Sequence, residues 1–223
     1  MKSLVFDTSS VISIVTNDLL WIMKSLKVRF GGEFYIPDSV KLELIDKPLA
    51  TRIYKLEAIM VSQAIDEGYL VIKEPLNVDD LLLHLNQIYT VKGKPIHILD
   101  RGEVEALVLA LKLQADAYVV DERTMRLVIE NPNALRELLE RKLHTKVEMN
   151  KKLVNEFSEM IKGVKIIRST ELAVIAYEKG LFKNFVNDGI NSKDLIEALL
   201  WGLKMRGCSI SDKEIEEIEI EEL

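Results

Sequence analysis

Short, almost wholly apolar runs alternate along most of the chain with longer stretches of helical spacing. Leu4–Phe6 is too unbroken for a half-exposed strand and reads as one buried on both faces. Apolar residues then recur at helical intervals through Ser9–Val15 and Leu19–Leu26, with Asp7 or Thr8 placed to cap the first turn. Phe34–Ile36 is a second short strand. Pro37 and Asp38 open a helix that carries Glu43, and Pro48 predicts its end. Ile53–Glu67 reads as a helix stopped by Gly68, Leu70–Lys73 as a strand and Val78–Tyr89 as a helix, before a turn at Lys92-Gly93-Lys94-Pro95.

The second half repeats the alternation. Asp100-Arg101-Gly102-Glu103 has the spacing of a capping box, and the helix it opens is apolar nearly all round over Ala106–Leu113. Ala117–Val120 is the next strand and Arg123–Glu130 the next helix, broken by Asn131-Pro132-Asn133. One or two amphipathic helices fill 134–162, and Val164–Ile167 is a last strand. Thr170–Lys179 and Ser192–Met205 are helices ended by Gly180 and Gly207, and Ser211 caps a tail of alternating Ile and Glu. Strands alternating with helices predict an α/β fold with a mostly parallel sheet and helices on both faces.

Composition narrows this picture little. The chain has 223 residues, 48% hydrophobic and 30% charged, as expected of a globular protein with one sizeable core. Its single cysteine, Cys208, excludes an internal disulfide and suits a reducing compartment. The start, Met1-Lys2-Ser3, leads into an apolar run too short for a signal peptide or membrane span, so a cytoplasmic location without membrane attachment is expected. The net charge of −6 resides in the acidic tail, residues 212–223, leaving the rest of the chain formally neutral. A neutral body with local basic patches can still hold a phosphate backbone.

The candidate chemistry lies in four acids. Asp7 and Asp121 end strands, Glu103 starts a helix, and Glu43 lies on the helix after the second strand. In an open α/β sheet such positions gather at the carboxyl edge of the strands, where ligands bind. Taken singly, Asp7 and Asp121 read as helix caps, Glu43 as a solvated helix residue and Glu103 as the acid of the capping box. Jointly, they would repel one another, and a divalent cation is the usual remedy. Glu105 lies two positions beyond Glu103 and points elsewhere on a helix. The three histidines have no ligand spacing, and no Gly-rich phosphate loop is present.

The segments Leu4-Val5-Phe6-Asp7-Thr8-Ser9-Ser10 and Tyr35-Ile36-Pro37-Asp38-Ser39-Val40-Lys41-Leu42-Glu43 resemble the first half of a PIN domain. Gly102-Glu103-Val104-Glu105-Ala106-Leu107-Val108-Leu109-Ala110 and Tyr118-Val119-Val120-Asp121-Glu122-Arg123 resemble the second half. Leu172–Leu181 and Gly207–Ser211 are similar to the C-terminal part of PIN-like proteins. The resemblance implies an endoribonuclease acting on single-stranded or unpaired RNA with Mg2+ or Mn2+. Asp7, Glu43, Glu103 and Asp121 would then be the metal and catalytic acids, Ser9 the small hydroxyl beside them, and Glu122 an assisting acid. Relatives of this kind include toxins of toxin–antitoxin pairs and RNA-processing nucleases, so an antitoxin protein and a homodimer are implied partners.

The chain departs from a compact PIN domain by a helical insertion, 131–163, within a single domain spanning 1–223. The insertion is rich in cations, among them Arg141, Lys142, Lys151 and Lys152. With Arg123 and Arg126 these are candidate RNA contacts, although a solvated helix pair or a dimerisation arm accounts for the insertion's charges somewhat better, and pairing with Glu122 and Glu130 is the default for Arg123 and Arg126. Two rival functions stay open. One is a non-catalytic PIN-like RNA-binding or regulatory protein. The other is a phosphotransfer enzyme with Asp7 as nucleophile, disfavoured because Ser9 stands where such an enzyme needs a second acid.

Overall fold

The computed structural model describes residues 2–186 and 190–221. Its centre is a five-stranded, all-parallel sheet. The strands are β1 (Ser3–Phe6), β2 (Glu33–Pro37), β3 (Val71–Lys73), β6 (Ala117–Val119) and β8 (Ile166–Ile167), in the order β3-β2-β1-β6-β8. The order reverses at β1, whose neighbours are β2 and β6. Chain connections leave that point in opposite directions and open a crevice at the carboxyl edge.

Successive residues of a strand face opposite sides, and the burial follows that rule. Leu4, Phe6, Phe34, Ile36, Ala117 and Val119 join one core. Val5, Tyr35, Tyr118 and Val120 join the other. The first core is closed by α1 (Thr8–Thr16), α2 (Leu20–Phe30), α5 (Lys55–Asp66) and α11 (Ser169–Glu178). The second is closed by α6 (Asp79–Leu85), α7 (Arg101–Leu113), α8 (Arg123–Glu130), α9 (Pro132–Leu143) and α10 (Lys151–Met160). Helices therefore cover both faces of the sheet. Val5 and Phe6 at the centre are fully buried, each contributing about 1.5–3 kcal/mol relative to exposure.

Three local expectations need correction. Pro48 does not end the helix carrying Glu43. That helix begins as α3 (Asp38–Lys41), widens into a π turn at Leu42–Asp46, and continues as α4 (Lys47–Leu49). The Lys47 N–H reaches back five residues to the Leu42 carbonyl, so Pro48, which lacks a donor, falls in the first turn of the next α segment. The helix from Val78 stops at Leu85. Asn86 turns its side chain to the N–H groups of Ile98 (2.6 Å) and Leu99 (3.0 Å), and Tyr89 enters a strand. That strand, β4 (Tyr89–Val91), pairs antiparallel with β5 (Lys94–Pro95) across Lys92 and Gly93, both left-handed. Its other neighbour is β7 (Glu148–Met149), a strand between α9 and α10 that the helical reading of 134–162 did not contain.

The acidic tail keeps the cap at Ser211 that the sequence predicts, with the Glu214 N–H donating to the Ser211 hydroxyl at 3.2 Å. It is a helix, α13 (Asp212–Glu221), with Ile215 buried against Ile196 and Leu200 of α12 (Ser192–Met205). Ion pairs to Arg168 (from Glu214, 2.7 Å) and to Lys204 (from Asp212) hold it. Glu222 and Leu223 of the tail lie outside the described residues.

Candidate active site

Asp7 follows β1 as the N-cap of α1, its carboxylate accepting from the Ser10 N–H at 2.9 Å. The Ser9 hydroxyl donates to the same carboxylate at 2.8 Å. Asp7 is wholly buried, and that burial pushes its carboxyl up to about 7, with the Asp121 charge adding and the Ser9 and Ser10 bonds opposing. A side chain acting only as a cap usually sits in water. This one is poised between charged and neutral near neutral pH.

Ser9 ties the two halves of the sheet edge together. While its hydroxyl donates to Asp7, its oxygen accepts the backbone N–H of Asp121 and of Glu122, each at 3.0 Å. The loop after β6 is thereby fixed against the loop after β1. With its donor and both lone pairs engaged, Ser9 is a hub between the acids.

Asp121 is fully buried, and both its carboxylate oxygens accept from one residue, the Ser169 N–H at 2.7 Å and the Ser169 hydroxyl at 2.5 Å. Its carbonyl accepts the Ser209 N–H at 3.1 Å. Glu122 caps α8, accepting from the Met125 N–H at 2.8 Å and the Thr124 hydroxyl at 2.9 Å.

Glu103 occupies the third helical position of α7 and accepts the Asp100 N–H at 2.7 Å, so the capping duty read from the sequence is real. Its carboxyl is nevertheless raised to about 8, first by burial and then by the charges of Glu122 and Asp7. The Tyr118 hydroxyl donates to the Glu103 carbonyl at 3.2 Å and is pushed well up by burial and by the field of Asp7, Glu103 and Glu122. Glu43 enters from the π turn. The Thr8 hydroxyl donates to it at 2.5 Å, and it lies so close to α7 that a Cβ on Gly102 would come within 3.0 Å of its carboxylate. Glu105 turns away, buried, to accept the Leu76 N–H at 2.6 Å.

The acids of the edge are thus coupled in pairs, Asp7 to Asp121 and Glu103 to Glu122 and Asp7. As placed, no three His, Cys, Asp or Glu side chains among the described residues stand close enough to hold one ion. Beside this edge, Arg123 and Arg126 line a groove of about 320 Å³ with Leu127, Ser209, Ile210, Ser211 and Glu214. Arg126 is partly committed, donating to the Ser209 carbonyl at 2.5 Å and lying 3.5 Å from Glu130; Arg123 is exposed and makes no ion pair among the described residues. Arg141, Lys142, Lys151 and Lys152 are exposed on α9 and α10. Among the described residues, no hydrogen bond or ion pair joins them to the carboxylate edge, and Lys152 faces Glu156 at 3.7 Å.

Thr8, Gly102, Ser169 and Ser209 belong to this edge and escape a reading centred on acids. Ser169 follows the last strand at a strand-to-helix junction, the same kind of position as Asp7 and Asp121, and extending the edge rule to hydroxyl residues would have found it.

No curated protein and no solved structure matches the chain. A family model, DUF3368, described as a PIN domain, matches residues 3–136. That segment contains β1, β2, β3 and β6 and the four acids Asp7, Glu43, Glu103 and Asp121. With the matched segment covering more than half of its length and a parallel sheet gathering acids at its carboxyl edge, the chain belongs to the PIN domain family.

Proposed function

We propose that this PIN domain is a metal-dependent endoribonuclease that hydrolyses phosphodiester bonds of single-stranded or unpaired RNA. The observation that carries this reading is the carboxyl edge itself, where Ser9 ties the buried Asp7 to the loop of the buried Asp121 and where Glu103 and Glu43 enter from neighbouring helices; the raised carboxyls of Asp7 and Glu103 agree with it. Carboxylates kept this far from water favour either a proton or a cation. The donor set of Asp7, Glu43, Glu103 and Asp121 offers only carboxylate oxygen, which suits a hard cation such as Mg2+ or Mn2+ and so fits the group the family implies. Those four residues, with Glu122 alongside, would hold it once drawn closer than they stand here, where no three of them surround one point. When bound, such an ion supplies a nucleophilic water near neutral pH and stabilises charge on the phosphate and the leaving oxygen.

The chain's own residues do the rest. Ser9 fixes the distance between the Asp7 and Asp121 loops, Thr8 orients Glu43, and Arg123 and Arg126 offer cations for RNA phosphates beside the acids. A toxin role or an RNA-processing role, an antitoxin partner and a homodimer are what the family resemblance suggests, and a cytoplasmic setting is what the single cysteine suggests. No helix among the described residues is long and apolar enough to cross a membrane.

A second reading, a non-catalytic RNA-binding or regulatory PIN protein, is favoured by one observation: each acid already has a hydrogen-bond partner. The separating measurement is cleavage of an unstructured RNA by purified protein with Mn2+ and with chelator. Cleavage that needs Mn2+ and is lost in Glu103→Gln, a change that keeps the capping bond, supports the nuclease. RNA binding without cleavage supports the second reading.

A further inference from the structure

We infer that Ser169 is the positioning residue for Asp121, so that the chain beyond the segment matched to the family completes the carboxylate site. This rests on the nuclease reading above and extends it to residues outside 3–136. Ser169 is 1% exposed, and its two donors grip the two oxygens of Asp121 separately, N–H to one and hydroxyl to the other. A carboxylate held at both oxygens cannot rotate about its last bond, and each oxygen keeps a lone pair free for a further partner.

Ser169 is itself held. It is the first residue of α11, and the preceding Arg168 donates its backbone N–H to Glu171 at 2.7 Å. The Arg168 guanidinium pairs with Glu171 and with Glu214 of α13. Ser209, between α12 and α13, grips the Asp121 carbonyl. Asp121 is therefore fixed at its N–H by Ser9, from the matched segment, and at its carbonyl and both carboxylate oxygens by residues after 163.

The test compares Ser169→Ala with Thr170→Val in the full-length protein. Thr170 is the adjacent buried residue, and its hydroxyl lies near Cys208 and Glu171 and makes no hydrogen bond to Asp121. Its loss controls for removing a buried hydroxyl next door. Mn2+ affinity is measured by calorimetry on the protein alone, and kcat and KM are measured on a short unstructured RNA. Loss of an outer partner of a ligand typically costs about 10–100-fold in metal affinity. Ser169→Ala should therefore weaken Mn2+ by at least about tenfold and lower kcat with KM unchanged, while Thr170→Val leaves both near wild type. Equal Mn2+ affinity in Ser169→Ala and wild type overturns this inference alone. An equal loss in both variants also overturns it, because the effect is then general loosening. Wild-type protein that neither binds Mn2+ nor cleaves RNA overturns the nuclease reading and this inference with it.

Discussion

At Asp7 the cost of holding charge inside the protein can be read from pH. Its carboxyl is raised from 3.8 to about 7 in the fold. Between those values the folded protein binds more protons than the unfolded chain, so stability falls as pH rises from about 4 towards 7 and levels off above. Glu103, raised to about 8, extends the same decline. Asp7→Asn cannot ionise and keeps an oxygen for the Ser10 N–H. Its stability without metal should match wild type near pH 4 and exceed it by pH 8, by up to a few kcal/mol at about 1.4 per pH unit, and its thermal midpoint should rise accordingly. Cleavage should be lost. A midpoint difference that does not change with pH would contradict the assignment. Asp121 behaves differently. In Asp121→Asn the Ser169 hydroxyl can turn to accept, and stability should change by less than about 1 kcal/mol; Asp121→Ala orphans both Ser169 donors and should cost about 1–3 kcal/mol. Urea unfolding of the two variants checks this.

At the scale of elements, Gly102 and the π turn belong to one device. The π turn advances Glu43 towards α7, and the missing side chain at Gly102 leaves room for its carboxylate. Gly102→Ala should gain helix propensity of about 0.5–1 kcal/mol, and the end of the flexible Glu43 side chain can give way. The expected result is a protein at least as stable as wild type with cleavage strongly reduced. Normal activity would show that Glu43 needs no such fit. The insertion supplies a contrasting prediction. Neutralising Arg141, Lys142, Lys151 and Lys152 together should flatten the salt dependence of RNA binding if they meet phosphates, whereas an altered mass in solution with an unchanged slope would mark α9 and α10 as a dimer arm.

The order of strands and helices was legible in the sequence because apolar runs at two periods survive burial on both faces. Asp7, Glu103 and Asp121 were legible because the ends of strands and starts of helices form one edge. The π turn was not, since it depends on which carbonyl Lys47 reaches rather than on any residue type. Nor was β7, a two-residue strand that exists only because β4 offers an edge.

For the whole molecule, the last helix changes meaning. Read as a free acidic tail, residues 212–223 would compete with RNA, and their removal would tighten binding. Anchored as α13, their removal takes away Ile215, uncovers Ile196, Leu200 and Ile210, and deprives Arg168 of Glu214. The truncated protein should melt lower and lose activity before any gain in RNA affinity appears. Glu214 gives this a pH signature: the Ser211 N–H and hydroxyl, and then Arg168, lower its carboxyl to about 2, so these stabilising contacts are complete above about 4.5 and are lost as pH falls towards 2. In Glu214→Gln, the acid limb of the stability curve should shallow.

The bonds that fix Asp121 begin at Ser9 and end at Ser209. Translation makes Ser9 two hundred residues before Ser209, so the edge closes only after the segment carrying Ser209 has emerged. Under the proposed ribonuclease activity this is a built-in delay: until Ser209 has been made, the growing chain lacks a bond that fixes Asp121 and should not cut the message that encodes it.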